Sequence, residues 1–548
     1  IGALNKDRKI HKIGIDLDNT IICYDTAFQL AAKKLKLFEG DKILSKEILR
    51  NTIRRRQNGE EQWQKLQGYV YGKGIENAQI YPGVHRFLWR CHQLGINVEI
   101  VSHKTKYGHF DKSKTLLREC ANTFLGNNFI GISFSVIHKI TYTDNREDKL
   151  DYIRNNHFDL FIDDLVEVAE SISTTDCQSI LFSPGEVIGR LQDVKIMKSW
   201  IETDSFLFGN LTLPEVKSLA ESVIEKGSVE NIIQLKGRGN SSVYKVLTFD
   251  SPMFLKIYPQ ESGHNRINSE FDSTKILTKL GVSEIQSPIA CNKELGVAIY
   301  EWIDVDNSYT YDVYAVESSL DFLRKLHGSR DNHVFDDFSM ASDSCTSIYD
   351  IEKQIRRRLF QLNEVTTEFE SLNIFLKNEF NPLFDAIILW SKSHFSIDGD
   401  YYESIGKQEM TLSPSDFGFH NILPSKDDGL KFIDFEYFGW DDPVKLISDF
   451  SHHAGMNLTK EMEDYWFSGV KSIYGEHILN RLQASWPLYG LNWCLIILNE
   501  FKVDVWNKRC LANQEKKHNR RDILLDQLTK SRNKLEYISE CYIDKEFW

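Results

Sequence analysis

The chain of 548 residues has no surplus of positive charge: 66 Lys and Arg stand against 79 Asp and Glu, a net charge of −13. That sign disfavours a protein that holds nucleic acid by neutralising backbone phosphates. Nine cysteines, among them Cys23, Cys177 and Cys541, are scattered without a CxxC pair or a Cys/His cluster. Neither structural zinc nor a disulfide framework is expected, and the thiols read as those of a reduced, cytoplasmic protein. The N-terminus shows no basic region followed by an apolar signal segment, so export is not expected. No run is long and apolar enough for a bilayer: the most apolar stretch, Trp486 to Phe501, carries Pro487, Asn492, Asn499 and Glu500 and reads as a buried helix. Internal repeats, low-complexity tracts and the GxxxxGK[ST] phosphate loop are also missing, which removes solenoids and P-loop enzymes. What remains is ample apolar material in a chain too long for one core, so two or more domains are expected.

Ile10 to Ile22 is an apolar run that breaks into Asp16-Leu17-Asp18-Asn19-Thr20, as when a buried strand ends and delivers side chains to a loop. In open α/β sheets ligands bind at that carboxyl edge. With period two, Asp16 and Asp18 point the same way, which suits shared work on one metal and one phosphate. Val98 to Val101 is a second short strand, ending in Ser102; Lys149 follows; and Phe158 to Ile162 is a third, ending in the acidic pair Asp163-Asp164.

These four motifs in this order resemble the haloacid dehalogenase superfamily of phosphatases. The resemblance covers roughly the first 180 residues and implies a Rossmann-like α/β domain. It implies that Asp16 is the nucleophile, forming an aspartyl-phosphate, and that Asp18 is general acid and then base. Thr20, Ser102 and Lys149 would bind phosphoryl oxygens, while Asp163 and Asp164, with Asp16, would hold Mg²⁺. The segment from Tyr24 to Ile80 carries Leu30, Leu35, Ile43, Ile48, Leu49, Ile53, Trp63 and Leu66 at amphipathic spacing and resembles that superfamily's helical cap. Arg54-Arg55-Arg56 either reads a second anion or forms a solvated helix face, the latter favoured; His103 and Lys104 either touch substrate or cap a helix.

Residues 1–204 are therefore expected to form this domain, 205–230 a helical connector, and 231–548 a second domain. There, Ile232 to Val246 reads as strand, glycine-rich loop with Gly237 and Gly239, and returning strand. Met253 to Tyr258 is a strand with Lys256 at its centre, where a lone charge needs an anionic partner. Glu270, fourteen residues on, offers one. Val297 to Ile303 is another strand. From Ser413 to Gly439, Asp416 is followed by four residues and then Asn421, and Asp434 ends the next apolar strand.

This order of parts resembles the aminoglycoside phosphotransferase and choline kinase branch of the protein-kinase-like fold. It implies a two-lobed α+β domain, an N-lobe over 231–305 and a helical C-lobe over 306–548. Asp416 would be the catalytic base, Asn421 and Asp434 the magnesium ligands, and Gly237, Gly239, Lys256 and Glu270 the ATP-phosphate site, with Glu301 to Ile303 the hinge under adenine. Two departures stand out. Pro414 replaces the usual histidine before the catalytic Asp, and Asp434-Phe435-Glu436 replaces DFG. No APE element is present, which disfavours protein substrates. Asp441, Asp442, His452 and His453 are expected to cap helices more than to face an acceptor.

Together the two resemblances imply a bifunctional enzyme, an Mg²⁺-dependent phosphatase fused to an ATP-dependent small-molecule kinase, relocating phosphate on a sugar or polyol phosphate. The alternatives are a nucleic-acid end-processing kinase and phosphatase, against which the net acidity counts, and a nucleotide-sensing regulator with one inactive module.

Overall fold

The computed structural model describes residues 9–39, 44–108, 110, 113–129, 135–185, 194–235, 241–261, 265–395, 400–503, 505–506 and 519–547. Two compact units divide the chain, one of Ile1–Gly227 with Pro259–Gly263 and Asn292–Val297, the other of the remaining residues.

In the first unit the elements run β1 (Lys12–Ile15), β2 (Ile22–Cys23), α1 (Asp25–Lys34), α2 (Lys46–Arg54), α3 (Gly59–Tyr71), β3 (Gln79–Ile80), α4 (Val84–Gln93) and β4 (Asn97–His103). They continue through α5 (Leu117–Asn128), β5 (Ile137–Thr143), α6 (Arg146–Asn155), β6 (Leu160–Asp163), α7 (Val166–Ser173), β7 (Gln178–Phe182), β8 (Lys195–Met197), α8 (Trp200–Phe208) and α9 (Leu213–Ala220). Six strands form a sheet in the order β5-β4-β1-β6-β7-β8, with every pair parallel. Both faces are covered, and Ile13, Ile15, Leu160, Phe161 and Ile162 are accordingly fully buried. A β-carbon on Gly14 would lie 2.3 Å from the Phe161 ring, so only glycine fits there. Strand order reverses direction at β1, and at that switch point the crevice outside the carboxyl ends opens between β4 and β6.

The expected cap is an insert of three helices. It leaves and returns through a two-stranded ribbon, Ile22 opposite Ile80 and Cys23 opposite Gln79. Phe28 stacks on Trp63 at 4.9 Å, and Leu49, Ile53 and Leu66 are fully buried beneath them. Leu30, Leu35 and Ile48, expected on the same apolar face, are about half exposed, and Ile43 lies outside the described residues.

The segment expected as a connector is helical, but it belongs to the first unit. Arg90 on α4, 2% exposed, donates to Glu215 (2.9 Å), Asp204 (2.8 Å) and the carbonyl of Gly209 (2.9 Å), binding α8 and α9 to α4. A capping box between Thr212 and Glu215 starts α9. The division falls after Gly227, towards the far end of the span 205–230.

The second unit begins with a sheet in the order β12-β13-β11-β10-β9. Its strands are β9 (Val229–Gln234), β10 (Ser242–Thr248), β11 (Met253–Ile257), β12 (Pro288–Asn292) and β13 (Val297–Glu301), with α10 (Ser273–Lys279) after β11. A helical lobe follows: α11 (Val313–Gly328), α12 (Ile348–Asn363), α13 (Glu370–Phe375) and α14 (Asn381–Phe395). Two ribbons come next, β14 (Thr411–Ser413) pairing β17 (Gly439–Asp441) around β15 (Ile422–Ser425) pairing β16 (Gly429–Phe432). The lobe closes with α15 (Pro443–His452), α16 (Lys460–Tyr474), α17 (Leu479–Ile497) and α18 (Arg520–Cys541). The expected buried helix is the core of α17, where Leu488, Leu491, Cys494 and Leu495 are fully buried. Among the described residues no helix is long and apolar enough to cross a membrane.

Candidate active sites

At the switch point of the first unit Asp16 follows β1, Ser102 lies near the end of β4, Asp163 ends β6, and Lys149 rises from α6. Lys149 Nζ donates to Asp16 Oδ1 (2.5 Å) and Asp163 Oδ2 (2.7 Å). Burial works against the lysine's charge, but Asp16 and Asp163 outweigh it and hold the ammonium above its ordinary range. Burial raises Asp16 well above the usual carboxylate value even with Lys149 opposing, and pushes Asp164 up to about 7. The Thr20 and Ser102 hydroxyls are buried without a hydrogen-bond partner. Buried hydroxyls without a partner are uncommon and call for an explanation such as a bound ligand.

Asp16 and Asp18 do not share a partner. Lys104 Nζ clamps both Asp18 oxygens, at 2.9 and 2.7 Å, and the Tyr24 hydroxyl donates to Oδ1 at 2.6 Å. Each carboxylate thus has its own ammonium, and the chain turns straight after Asp18, where Asn19 has φ 60°. Lys104 belongs to the site, whereas His103 is exposed and meets the Asp144 carbonyl. Arg54, Arg55 and Arg56 are exposed, with Arg54 paired to Glu60, as the solvated-face reading expects.

In the second unit Lys256, Glu270, Ile303, Asn421 and Asp434 line a cleft of about 1070 Å³. Lys256 donates to Glu270 (2.7 Å) and Asp434 (2.6 Å), and Glu436 lies 3.4 Å away. Glu436, the departure from DFG, also accepts from Arg266 (3.0 Å) and Ser241 (3.1 Å). Three carboxylates therefore share two cations. Burial pushes Glu270 up to about 7 against the pull of Lys256.

The nested ribbons place the remaining groups. The Asp416 amide bonds the Pro414 carbonyl (3.0 Å) across Ser415, whose φ is 69°. This is a γ-turn of the rare positive-φ kind, closed by the backbone carbonyl at position 414, and it presents Asp416. Asp434 is also left-handed, with φ 67°, and such strain in non-glycine residues concentrates at functional sites. Asn421 Nδ2 donates to the Asp416 carbonyl at 2.9 Å, leaving its side-chain oxygen as the atom a cation would use.

Sequence reasoning missed His420. Its Nε2 bonds Asp416 Oδ1 at 2.9 Å, and its ring lies on that of His453, centroids 3.9 Å apart and 3° from parallel. Burial works to raise the Asp416 carboxyl, but His420 outweighs it and holds it below the usual range. Asp416, His420 and His453 lie close enough to suggest a metal site, yet parallel stacked rings point their lone pairs into separate planes, and no single ion can meet both. The arrangement is an orienting stack.

Gly237 and Gly239 lie outside the described residues. Trp302 and Ile303 line the cleft. Glu301 is turned away from the hinge role: its amide donates to the Ser287 carbonyl, its carbonyl accepts from Gln286, and its side chain accepts from the Ser287 amide. Asp442 caps α15 and binds Arg481 (2.7 Å), as expected of a cap.

No family model matches this chain, and no curated protein matches it. Among solved structures, a spectinomycin phosphotransferase in complex with ADP and spectinomycin aligns at 14% identity and TM-score 0.43, over 61% of this chain and 99% of its own. A choline kinase from Streptococcus pneumoniae aligns at 16% and 0.38, over 59% and 98%, and a Plasmodium vivax ethanolamine kinase at 15% and 0.38, over 65% and 96%. Identities this low transfer no residue role and no substrate, so both sites stand on their own geometry.

Proposed function

We propose that the second unit transfers the γ-phosphoryl group of ATP to a hydroxyl of a small molecule and that the first hydrolyses a phosphomonoester. The observation that carries the kinase reading is the convergence of Lys256, Glu270, Asn421 and Asp434 on one cleft, with Asp416 bonded to the lining residues His420 and Asn421. Asp416 takes the acceptor's proton as its oxygen bonds to the γ-phosphorus and the bond to ADP breaks. The hard oxygens of Asp434 and Asn421 fit Mg²⁺, which when bound supplies neutralising charge at the phosphates.

The phosphatase reading rests on the resemblance of the four motifs, their meeting at one sheet edge, and the orphaned Thr20 and Ser102 hydroxyls. Asp16 attacks phosphorus while Asp18 protonates the departing alkoxide. Asp18 then deprotonates water, whose attack releases phosphate and restores Asp16. Asp16, Asp163 and Asp164 offer the hard oxygens that suit Mg²⁺, which would offset charge there.

A sugar or polyol phosphate suits this pairing, with the cleft favouring an order. Among the described residues lining it, Lys256 is the one lysine or arginine, and carboxylates already surround it. An uncharged acceptor suits these described residues, and with it an order in which dephosphorylation comes first and the kinase acts on the product. ATP and a panel of sugar and polyol phosphates, supplied to Asp16→Asn and Asp416→Asn separately, test this. Asp16→Asn should abolish phosphate release and spare phosphorylation of free polyols, Asp416→Asn the reverse; loss of both in either variant sinks the reading.

A further inference from the structure

The first unit holds three lysines around its carboxylates, and two are matched: Lys149 is shared by Asp16 and Asp163, and Lys104 clamps Asp18. The third, Lys46, is supplied by cap helix α2. Its backbone amide is pinned by Asp25 (2.7 Å), and its Nζ donates to the Tyr71 hydroxyl (2.8 Å) and Asn19 Oδ1 (3.2 Å), the residue next to Asp18. Lys104 lies 4.9 Å over the face of the same Tyr71 ring, so one tyrosine stands between two ammonium groups. No carboxylate comes within 4.0 Å of the Lys46 ammonium among the described residues, although Asp164 and Asp18 are near enough for their fields to act on it. Burial works against the Lys46 charge, but Tyr71, Asp164 and Asp18 outweigh it and hold the ammonium above its ordinary range, so a charged donor stands at the site with no carboxylate in direct contact.

We propose that Lys46 binds a second anionic group, a carboxylate or a further phosphate, carried by the leaving group of the phosphomonoester cleaved at Asp16. The proposal rests on the phosphatase reading. The transferred phosphoryl group is met by Lys149, Thr20 and Ser102 at the sheet edge; Lys46 comes from the cap and bonds Asn19, the residue next to Asp18, so it can meet a part of the substrate other than that phosphoryl group. The cap then selects substrates by charge as well as by size.

The test compares kcat/KM for three classes of probe, p-nitrophenyl phosphate, phosphorylated hydroxy acids and sugar bisphosphates, in the wild type, Lys46→Gln and Lys46→Arg. Losing one charge-assisted contact should lower Lys46→Gln by about 10- to 100-fold on one of the two acidic classes. p-Nitrophenyl phosphate should change less than about twofold, and Lys46→Arg should recover most of the loss. Whichever acidic class responds identifies the anion as carboxylate or phosphate. An equal loss on all probes would mean that Lys46 holds the transferred phosphoryl group, and no loss on any would mean that it holds nothing; either overturns the proposal. If the wild type releases phosphate from no probe, or Asp16→Asn releases as much as the wild type, the phosphatase reading itself fails.

Discussion

Asp416 owes its position to a turn and its orientation to a ring. The γ-turn at Ser415 presents the carboxylate, and His420, held flat against His453, fixes one of its oxygens. Removing an orienting partner commonly costs about 10- to 100-fold in activity. His420→Ala should therefore lower the kcat of ATP-dependent phosphorylation by that order with little change in KM for ATP, and His420→Gln, which keeps a donor, should recover part of it. An unchanged kcat would show that the stack is only packing. Asp416, Asn421, Asp434, Lys256 and Glu270 were legible because short backbone spacings fix them along the chain. Glu436 and His420 were not: Arg266 meets Glu436 from 170 residues away, and the partner ring of His420 belongs to His453, just past the end of α15.

At the scale of elements, the parallel strands could be read directly, since burial on both faces writes them as unbroken apolar runs. Cap helices were half legible, because an inserted subdomain buries only one stripe of each helix and leaves residues such as Leu30 and Ile48 outside. Helix α9 was recognised but read as part of a connector rather than of the first unit, as nothing local announces that Arg90 grips Glu215 as well as Asp204. Arg90→Ala strands Glu215 and Asp204 without a counter-charge, and breaking a buried pair in this way costs about 3–5 kcal/mol. Urea unfolding followed through near-UV signals of the first unit, where Trp89 and Trp200 are buried, should show a loss of that order. A loss below about 1 kcal/mol would mean that the knot is no better than a surface ion pair.

For the whole molecule, length alone announced two cores, and each unit has its own. A non-hydrolysable ATP analogue at 100 times its Kd should add about 2.7 kcal/mol to the second unit, seen in calorimetry as an upward shift of that unit's transition; a shift confined to the first unit's transition would move the nucleotide site. Acid should weaken the second unit as well. Burial pushes His327 down to about 4, with Arg330 assisting, and drives His452 well below its ordinary value, with Lys534 assisting. Both are neutral in the fold, whereas the unfolded chain protonates near about 6.5. Below that pH the unfolded state binds more protons, so the stability these groups contribute is complete above about 6.5 and declines from there towards about 4. His327→Asn should flatten part of the decline in urea midpoint against pH; an unaltered slope would remove His327 from the account.

The ribbon at the base of the cap carries a separate meaning. Cys23 and Gln79 face each other across one strand pair, so the chain departs and returns at points about 5 Å apart. To the sheet beneath, everything between them is a long hairpin turn, and the closure entropy of such a loop grows only slowly with its length. The insert that carries Lys46 can therefore be lengthened, shortened or exchanged at this doorway at little cost to the sheet that carries Asp16.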